Sequence, residues 1–285
     1  MRNKHILNIF CKQRLFSSSV PSIMKFRRQQ VLQVDSQKCN IYDIATVSST
    51  EMLACDLSQC KVNLVDSTAG GVVASVSVPG KPREICLVNA RMAAVPLSGK
   101  KIQFIRLGRG SLTLDRVLEV SKGQCGITTL ENSLITSSID PPCVEMMSMD
   151  GRVKYTVDNQ KAGREVFKKP YFLKSSRDGF IYVTDCGTNT VTKLDSRLNM
   201  LGTYTDSCLQ DISGIISISR DQILVCSRYN HSIVLLNTRT GNTTVLLGEQ
   251  DGLKKPWALT YSYSQRKLFV APFDKATHMQ VFKLV

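Results

Sequence analysis

The hydrophobic and polar positions of this chain alternate in short runs, and one such pattern recurs along the sequence. Its clearest copy lies between Gly179 and Asp195, where an apolar and β-branched run, Phe180–Thr184, is followed by a polar turn and an alternating run, Val191–Asp195. Short runs of this kind, bounded by turn residues, predict β-strands. Each copy therefore predicts two strands joined by a tight turn.

Five more copies align with this one. They are Met52–Asp66, Met92–Arg106, Leu134–Ser148, Ile223–Asn237 and Leu268–Phe282, the last with one extra residue in its turn. In chain order, the residues at the third aligned position of the six copies are Ala54, Ala94, Thr136, Val183, Val225 and Val270. Successive members of this series are 40, 42, 47, 42 and 45 residues apart. A β-strand unit that recurs about every 40 to 50 residues is typical of a propeller blade. The chain is therefore predicted to be all-β, a six-bladed β-propeller.

Each blade needs four strands, and the two ends of the chain share the last one. The first strands of the blades are predicted at Ile41–Val47, Glu84–Asn89, Gly126–Leu130, Tyr171–Ser175, Ile212–Ser217 and Trp257–Tyr261. Only three strands remain for the sixth blade, so we predict that Phe26–Val34 supplies its outer strand and closes the ring. Closure removes exposed sheet edges. The predicted domain is 24–285, and Asp158–Phe167 is predicted as a longer polar connection.

Composition and charge narrow the class of protein. With 42% hydrophobic and 21% charged residues over 285 positions, the chain is globular rather than disordered. No run of about 18 apolar residues predicts a membrane span. The net charge is +14, and half of it comes from seven basic residues, with no acid, in positions 1–34. The propeller is thus moderately basic, which permits an acidic partner or nucleic acid and requires neither.

Cysteine and histidine are too scattered to predict a metal site. The chain has ten cysteines and three histidines but no C-x-x-C pair, whereas zinc modules need closely spaced pairs. Cys55, Cys86 and Cys226 fall within predicted strands, where cysteine usually serves as a small buried apolar residue. We therefore expect reduced thiols, no cofactor and a cytoplasmic location.

Residues 1–23 are predicted to be a flexible basic segment. They contain serines and no acid, a composition that resembles a mitochondrial transit peptide. The alternative is a linker or the tail of a preceding element. The sequence leaves both interpretations open, and the first would imply a mitochondrial location.

Proline-containing turns precede three of the predicted blades. They are Gly80–Glu84 (GKPRE), Lys168–Phe172 (KKPYF) and Lys254–Ala258 (KKPWA). Proline fixes the backbone where one blade leads to the next. Together with Gly179–Asp185 (GFIYVTD) and Gly248–Leu253 (GEQDGL), these turns resemble the NHL-repeat propeller of tripartite-motif (TRIM) proteins, in particular molluscan TRIM-like chains.

The resemblance covers about 26–285 and implies a role in partner recruitment. TRIM proteins that ligate ubiquitin carry RING and B-box zinc modules and a coiled coil, and these 285 residues contain none of the three. We therefore expect a non-catalytic interaction propeller that is related to ubiquitin ligases only by association. A protein partner is the first expectation and single-stranded RNA the second. We expect no membrane and no small-molecule substrate.

The turns that lead into the blades and those between the second and third strands should gather on one face. The candidate residues on this face are Arg83, Lys100, Lys101, Lys168, Lys169, Tyr171, Arg228, Tyr229, His231, Lys254, Lys255 and Trp257. Basic residues interleaved with aromatics can hold a phosphate backbone while bases stack, as in RNA-binding NHL propellers. An acidic peptide could use Trp257 and Arg83 as hot-spot residues. The alternative is that Trp257 and Tyr171 only pack between blades and that the lysines are only solvated.

A metal-dependent hydrolase similar to six-bladed lactonase propellers is the remote alternative. Such an enzyme holds a divalent ion in the channel with oxygen ligands. Asp185 is the candidate ligand, and its equivalents in the other copies are Asp56, Pro96, Ser138, Ser227 and Pro272. This set does not make a carboxylate cage, and the chain lacks a G-x-S-x-G motif and a phosphate-binding loop. We therefore predict no catalysis.

Overall fold

In the described residues of this computed structural model, twenty-four β-strands form six antiparallel sheets of four strands. The structure describes residues 24–34, 39–273 and 276–285. Each sheet is one blade, and within each of the first five blades the strand order follows the chain. The predicted all-β, six-bladed propeller with four-stranded blades is confirmed.

The strands have the following bounds. The first, β1, is Phe26–Gln33. Blades one and two contain β2 Ile41–Thr46, β3 Glu51–Asp56, β4 Lys61–Asp66, β5 Gly71–Ser77, β6 Cys86–Asn89, β7 Met92–Leu97, β8 Lys101–Gly108 and β9 Ser111–Glu119. Blades three and four contain β10 Gln124–Leu130, β11 Ser133–Ile139, β12 Pro142–Ser148, β13 Val153–Asp158, β14 Pro170–Ser175, β15 Ile181–Asp185, β16 Thr190–Leu194 and β17 Met200–Tyr204. Blades five and six contain β18 Ile212–Ser219, β19 Gln222–Ser227, β20 Ser232–Asn237, β21 Thr243–Leu247, β22 Pro256–Ser262, β23 Lys267–Pro272 and β24 His278–Leu284.

The ring is closed by the N-terminal strand, as predicted. β1 pairs antiparallel with β24, with Phe26 opposite Leu284 and Gln33 opposite His278. The sixth sheet therefore has the order β1-β24-β23-β22, with its outer strand from one end of the chain and the other three from the opposite end. This pairing covers the edge that β24 would otherwise expose.

Burial follows the position of a strand within its blade. The second and third strands, such as β3 and β4, are buried along nearly their whole length because neighbouring blades cover both of their faces. The outer strands are partly solvent-exposed, and β5 has only exposed and partly buried residues. Cys55, Cys86 and Cys226 are buried, as predicted, and burial raises the pKa of each thiol.

Each innermost strand runs from one face of the ring to the other. We call the face where the innermost strands begin the upper face. It also carries the turns between second and third strands, and the opposite face is the lower face. The innermost strands β2, β6, β10, β14, β18 and β22 line the central channel.

The predicted bounds of the innermost strands differ from the observed ones by one or two residues; β10, for example, begins at Gln124 rather than Gly126. β6 begins at Cys86 rather than Glu84, because backbone pairing with β7 starts at Cys86 and the preceding residues make only an isolated bridge, Pro82 with Leu97. The Glu84 carboxylate accepts hydrogen bonds from the N–H groups of Ile127 and Leu173 in other blades. The polar connection after β13 contains one helical turn, α1 Asn159–Ala162. Asp158 caps this turn by accepting a hydrogen bond from the Lys161 N–H.

Candidate functional site

One residue per blade occupies an equivalent position at the upper end of the channel. It follows the first paired residue of the innermost strand or, in blade two, the bridge residue Pro82. The six residues are Tyr42, Arg83, Cys125, Tyr171, Ser213 and Trp257. In five of the blades the pairing register shifts at this position. Such bulges re-aim a side chain, which explains how these residues converge.

Aromatic rings from three blades close this upper mouth. Tyr42 of blade one stacks on Phe172 of blade four, with 5.8 Å between ring centroids. Trp257 of blade six meets Tyr42 and Phe172 edge-on, at 5.4 Å from each, and Tyr171 lies 6.3 Å from Trp257. Aromatic pairs contribute about 0.5–1.5 kcal/mol beyond their burial, so this cluster ties opposite sides of the ring together. Burial also raises the pKa of Tyr42.

Two buried acids and a lysine lie directly below the aromatic cluster. The Asp43 carboxylate accepts a hydrogen bond of 2.9 Å from the Ile85 N–H, and Glu84 accepts one of 2.6 Å from the Ile127 N–H. Burial raises the pKa of both carboxyl groups, and repulsion from Asp43 adds to the effect at Glu84. Burial opposes the charge of Lys174, but attraction to the two acids outweighs it and raises the pKa of the ammonium group.

A pocket of about 620 Å³ adjoins the aromatic cluster on the upper face, between blades five and six. Its lining residues are Asp211, Arg228, Tyr229, His231, Lys255 and Phe273. The Arg228 guanidinium lies 4.0 Å from the Phe273 ring centroid and 5.2 Å from that of Trp257. Arg228 Nε also donates a 2.6 Å hydrogen bond to Asp211, so the cation is held in one orientation. Tyr229 is 75% exposed beside it.

The predicted site residues fall into several groups of this upper face. Arg83, Tyr171 and Trp257 belong to the channel mouth, where Arg83 donates a hydrogen bond to the Cys125 sulfur at 3.3 Å. Trp257 is only 9% exposed, an arrangement consistent with the packing alternative.

The pocket brings together Arg228, Tyr229, His231 and Lys255, with the Lys255 N–H donating to His231 Nδ1 at 3.0 Å. The remaining predicted residues are exposed in or beside upper-face connections and belong to neither group. They are Lys100, Lys101, Lys168, Lys169 and Lys254.

Asp185, the candidate metal ligand, has a local structural role. Its carboxylate accepts hydrogen bonds from the N–H groups of Lys168, Lys169 and Gly187 at 2.6, 2.9 and 2.8 Å. The equivalent Asp56 likewise accepts from Asn40 and from its own turn. Both aspartates therefore tie the turn after the second strand to the preceding connection. The described residues contain no group of three or more His, Cys, Asp and Glu side chains arranged to hold a metal ion.

Sequence reasoning missed Tyr42, Cys125 and Phe273, as well as the triad of Asp43, Glu84 and Lys174. The signal for the first two was present, because Tyr42 and Cys125 hold the blade position that Tyr171 and Trp257 also hold. The triad carried no local signal, since its members come from blades one, two and four.

The two faces differ in the basic residues of their connections. Within the described part of the chain, the upper-face connections contain eight lysines and three arginines, whereas the lower-face connections contain eight arginines and no lysine. The arginines of the lower face are Arg91, Arg109, Arg152, Arg177, Arg197, Arg220, Arg239 and Arg266.

Comparison with known proteins supports the fold alone. The chain is similar to the WD40 β-propeller domain of Doa1, with a TM-score of 0.60 and 12% identity over 90% of this chain and 97% of that one. It is also similar to a streptogramin B lyase structure, with a TM-score of 0.65 and 12% identity over 91% and 98%. No family model and no curated protein matches the chain. The resemblance to TRIM proteins gains no support from these comparisons.

These similar structures include a WD40 propeller domain and a lyase, so the fold alone does not decide between binding and catalysis. The single α-helix of the described residues is one turn long, and none of them forms a helix that could span a membrane.

Proposed function

We propose that this protein is a non-catalytic interaction propeller that docks a protein partner on its upper face. The observation that carries the proposal is the pocket between blades five and six. Its rim exposes Tyr229 by 75% and Phe273 by 39%, beside an Arg228 guanidinium held by Asp211. Binding hot spots are enriched in tyrosine, tryptophan and arginine, and an ordered arginine beside exposed rings loses little entropy on binding.

The charge around this pocket favours an acidic partner. Lys254 and Lys255 precede blade six beside the pocket, and Lys168 and Lys169 precede blade four on the same face, all four exposed. A positive rim steers an acidic protein toward the aromatic centre and speeds association. β-Propellers are a scaffold commonly used for protein interaction, which agrees with this assignment.

The finer proposal is a partner-recruiting role in a TRIM-like, ubiquitin-ligase-related assembly. It rests on the Lys-Pro turns before three blades, such as Lys254–Ala258, and on the resemblance that they carry. It predicts that a captured partner becomes ubiquitinated only when the pocket is intact.

Capture of a partner by matched variants tests the proposal. The immobilised chain, Tyr229→Ala and Tyr155→Ala are each incubated with a nuclease-treated extract of the protein's own cells. Tyr155 is 42% exposed on β13, outside the pocket, and is the control. We expect proteins that the wild type and Tyr155→Ala retain and Tyr229→Ala does not. The purified partner should then bind Tyr229→Ala about tenfold or more weakly. Equal affinity for both variants would refute the proposal.

RNA binding is the second candidate, because the same four exposed lysines can contact phosphates. A random single-stranded RNA pool at about 50 and 200 mM salt separates the two functions, since phosphate contacts lose orders of magnitude in affinity over this range. Tight binding that falls steeply with salt, and disappears when Lys168, Lys169, Lys254 and Lys255 are changed to Gln, would establish the RNA function. Absence of binding at both salt concentrations would leave the protein partner.

A further inference from the structure

The lower mouth of the channel opens into a pocket of about 460 Å³. Lys174 lies at the boundary between this pocket and a channel cavity of about 230 Å³, because it lines both together with Thr46 and Thr260. The turns of blades four and five contribute Arg177 and Arg220. This size falls within the usual range for small-molecule sites, about 300–1,000 Å³.

Positive charge dominates the pocket. Lys174, Arg177 and Arg220 line it, and Asp178 is its one acidic residue, which leaves a formal charge of +2. Among the described residues, none of these three cations has a carboxylate oxygen within 4.0 Å. The carboxyl groups of Asp43 and Glu84, which do not line the pocket, offset part of the charge of Lys174. The two guanidinium groups are therefore the charges that a ligand meets first.

The rest of the lining completes a site for an anion that has an organic part. Ile216 and Tyr263 supply an apolar wall, and Ser175 and Ser217 also line the pocket, with their hydroxyls donating to the carbonyls of Thr129 and Ser219. Tyr263 is fixed by its hydroxyl, which donates to the Ser217 carbonyl at 2.9 Å. The Arg177 guanidinium packs over the Tyr263 ring at 4.9 Å, so this cation is also oriented.

We propose that the lower pocket binds a small molecule that carries a phosphate group. Arginine presents a planar fork of donors that matches phosphate oxygens, and a phosphate ester carries a charge of about −1.5 to −2 at neutral pH. Arg177 and Arg220 supply the cations that face this charge, since Asp43 and Glu84 offset part of the charge of Lys174. The proposal uses only residues of the lower mouth and is independent of the partner function of the upper face.

Calorimetric titration of the full chain with inorganic phosphate tests the proposal. We expect saturable binding at one site with Kd below about 1 mM, and loss of about tenfold or more in Arg220→Gln and in Arg177→Gln. Arg239→Gln is the matched control, because Arg239 lies on the same face and does not line the pocket. It should retain the wild-type Kd. Lys174→Met should also weaken binding, but the arginine variants decide the test because they leave the buried acids undisturbed.

Absence of saturable binding to the wild type would overturn the proposal, and so would equal losses in Arg220→Gln and Arg239→Gln. Two further titrations distinguish which kind of phosphate compound the pocket binds. Glycerol 3-phosphate represents a free metabolite, and phosphatidylcholine vesicles with phosphatidic acid represent a lipid headgroup. Binding of either probe supports the proposal only if Arg220→Gln removes it.

Discussion

The two mouths of the central channel are built from the same six strands but have opposite character. At the upper mouth, Tyr42, Phe172 and Trp257 pack together across the ring and close the channel. At the lower mouth, hydroxyl groups bridge neighbouring blades, as where Thr46 and Thr260 lie 2.7 Å apart, and the channel opens into a pocket. Because the backbone repeats from blade to blade, individual side chains determine the chemistry at each end of the channel.

The difference shows how the propeller separates stability from binding. The upper mouth uses large buried rings to hold opposite blades, and binding residues such as Tyr229 lie beside them. The lower mouth relies on small polar contacts and keeps its two arginines, Arg177 and Arg220, in exposed turns. The effects of substitutions in the two regions on stability and on binding should therefore differ both in size and in kind.

The largest expected effect is on the free energy of unfolding, when substitutions toward the two ends of β22 are compared. Trp257→Ala removes the ring that meets Tyr42 and Phe172 and should lower the free energy of unfolding by about 3–5 kcal/mol. Thr260→Ala removes the hydroxyl contact with Thr46 and one methyl group and should cost about 1–2 kcal/mol. Denaturant unfolding measures both values. Similar losses would show that the aromatic cluster does not hold the ring together.

A glycine between the two mouths should be the next most sensitive position. A Cβ atom at Gly126 would lie 2.7 Å from the Tyr171 carbonyl and 2.8 Å from Glu84 Oε2. Gly126→Ala should therefore cost about 1–3 kcal/mol through overpacking. Gly123→Ala is the control, because nothing lies within 4 Å of its added Cβ. Thermal unfolding of the two variants compares them, and a neutral Gly126→Ala would contradict the close approach of the blades.

The buried acids below the aromatic cluster should make stability depend on pH. Burial raises the pKa of Asp43 and Glu84, so above about pH 4 the folded state keeps protons that the unfolded state has lost. The free energy of unfolding should fall as the pH rises from about 4 toward neutrality. Glu84→Gln removes one titrating group and should flatten this slope, whereas the exposed Glu131→Gln should not. Parallel slopes for all three proteins, measured by denaturant unfolding, would rule out the buried acids as the cause.

The smallest expected effects on stability belong to the two binding residues. Tyr229→Ala and Arg220→Gln change exposed side chains and should alter the free energy of unfolding by no more than about 0.5 kcal/mol. Each should weaken a different binding activity about tenfold or more, partner docking for Tyr229 and phosphate binding for Arg220. Denaturant unfolding measures the change in stability. Titrations with the purified partner and with inorganic phosphate measure the two binding activities. A loss of both activities in one variant would mean that the mouths are not independent.

The sequence predicted the blades well because their strands carry a strong local pattern. The turns and strand runs that place β3 and β4 lie within 15 residues of one another, from Met52 to Asp66. Ring closure by β1 also followed from counting strands, since the final blade would otherwise lack one. These features depend on residues near in sequence or on the number of repeats.

The binding surfaces were only partly predictable because they depend on contacts across the ring. The sequence placed Trp257 on the upper face, but its burial depends on Tyr42 and Phe172 from other blades. The lower pocket joins Lys174 to Arg220 of the next blade, and no spacing in the chain relates them. The pairing of Arg228 with Asp211 likewise requires the final packing of two connections.

Photocrosslinking at the two mouths tests the assignment of partner docking most directly. A benzoylphenylalanine replaces Tyr229 at the upper mouth or Tyr263 at the lower mouth, and each protein is irradiated with the partner captured by the wild type. Both positions are exposed, by 75% and 47%, so each label can reach a bound protein. We predict covalent adducts from position 229 and none from position 263. Adducts from position 263 alone would contradict docking on the upper face.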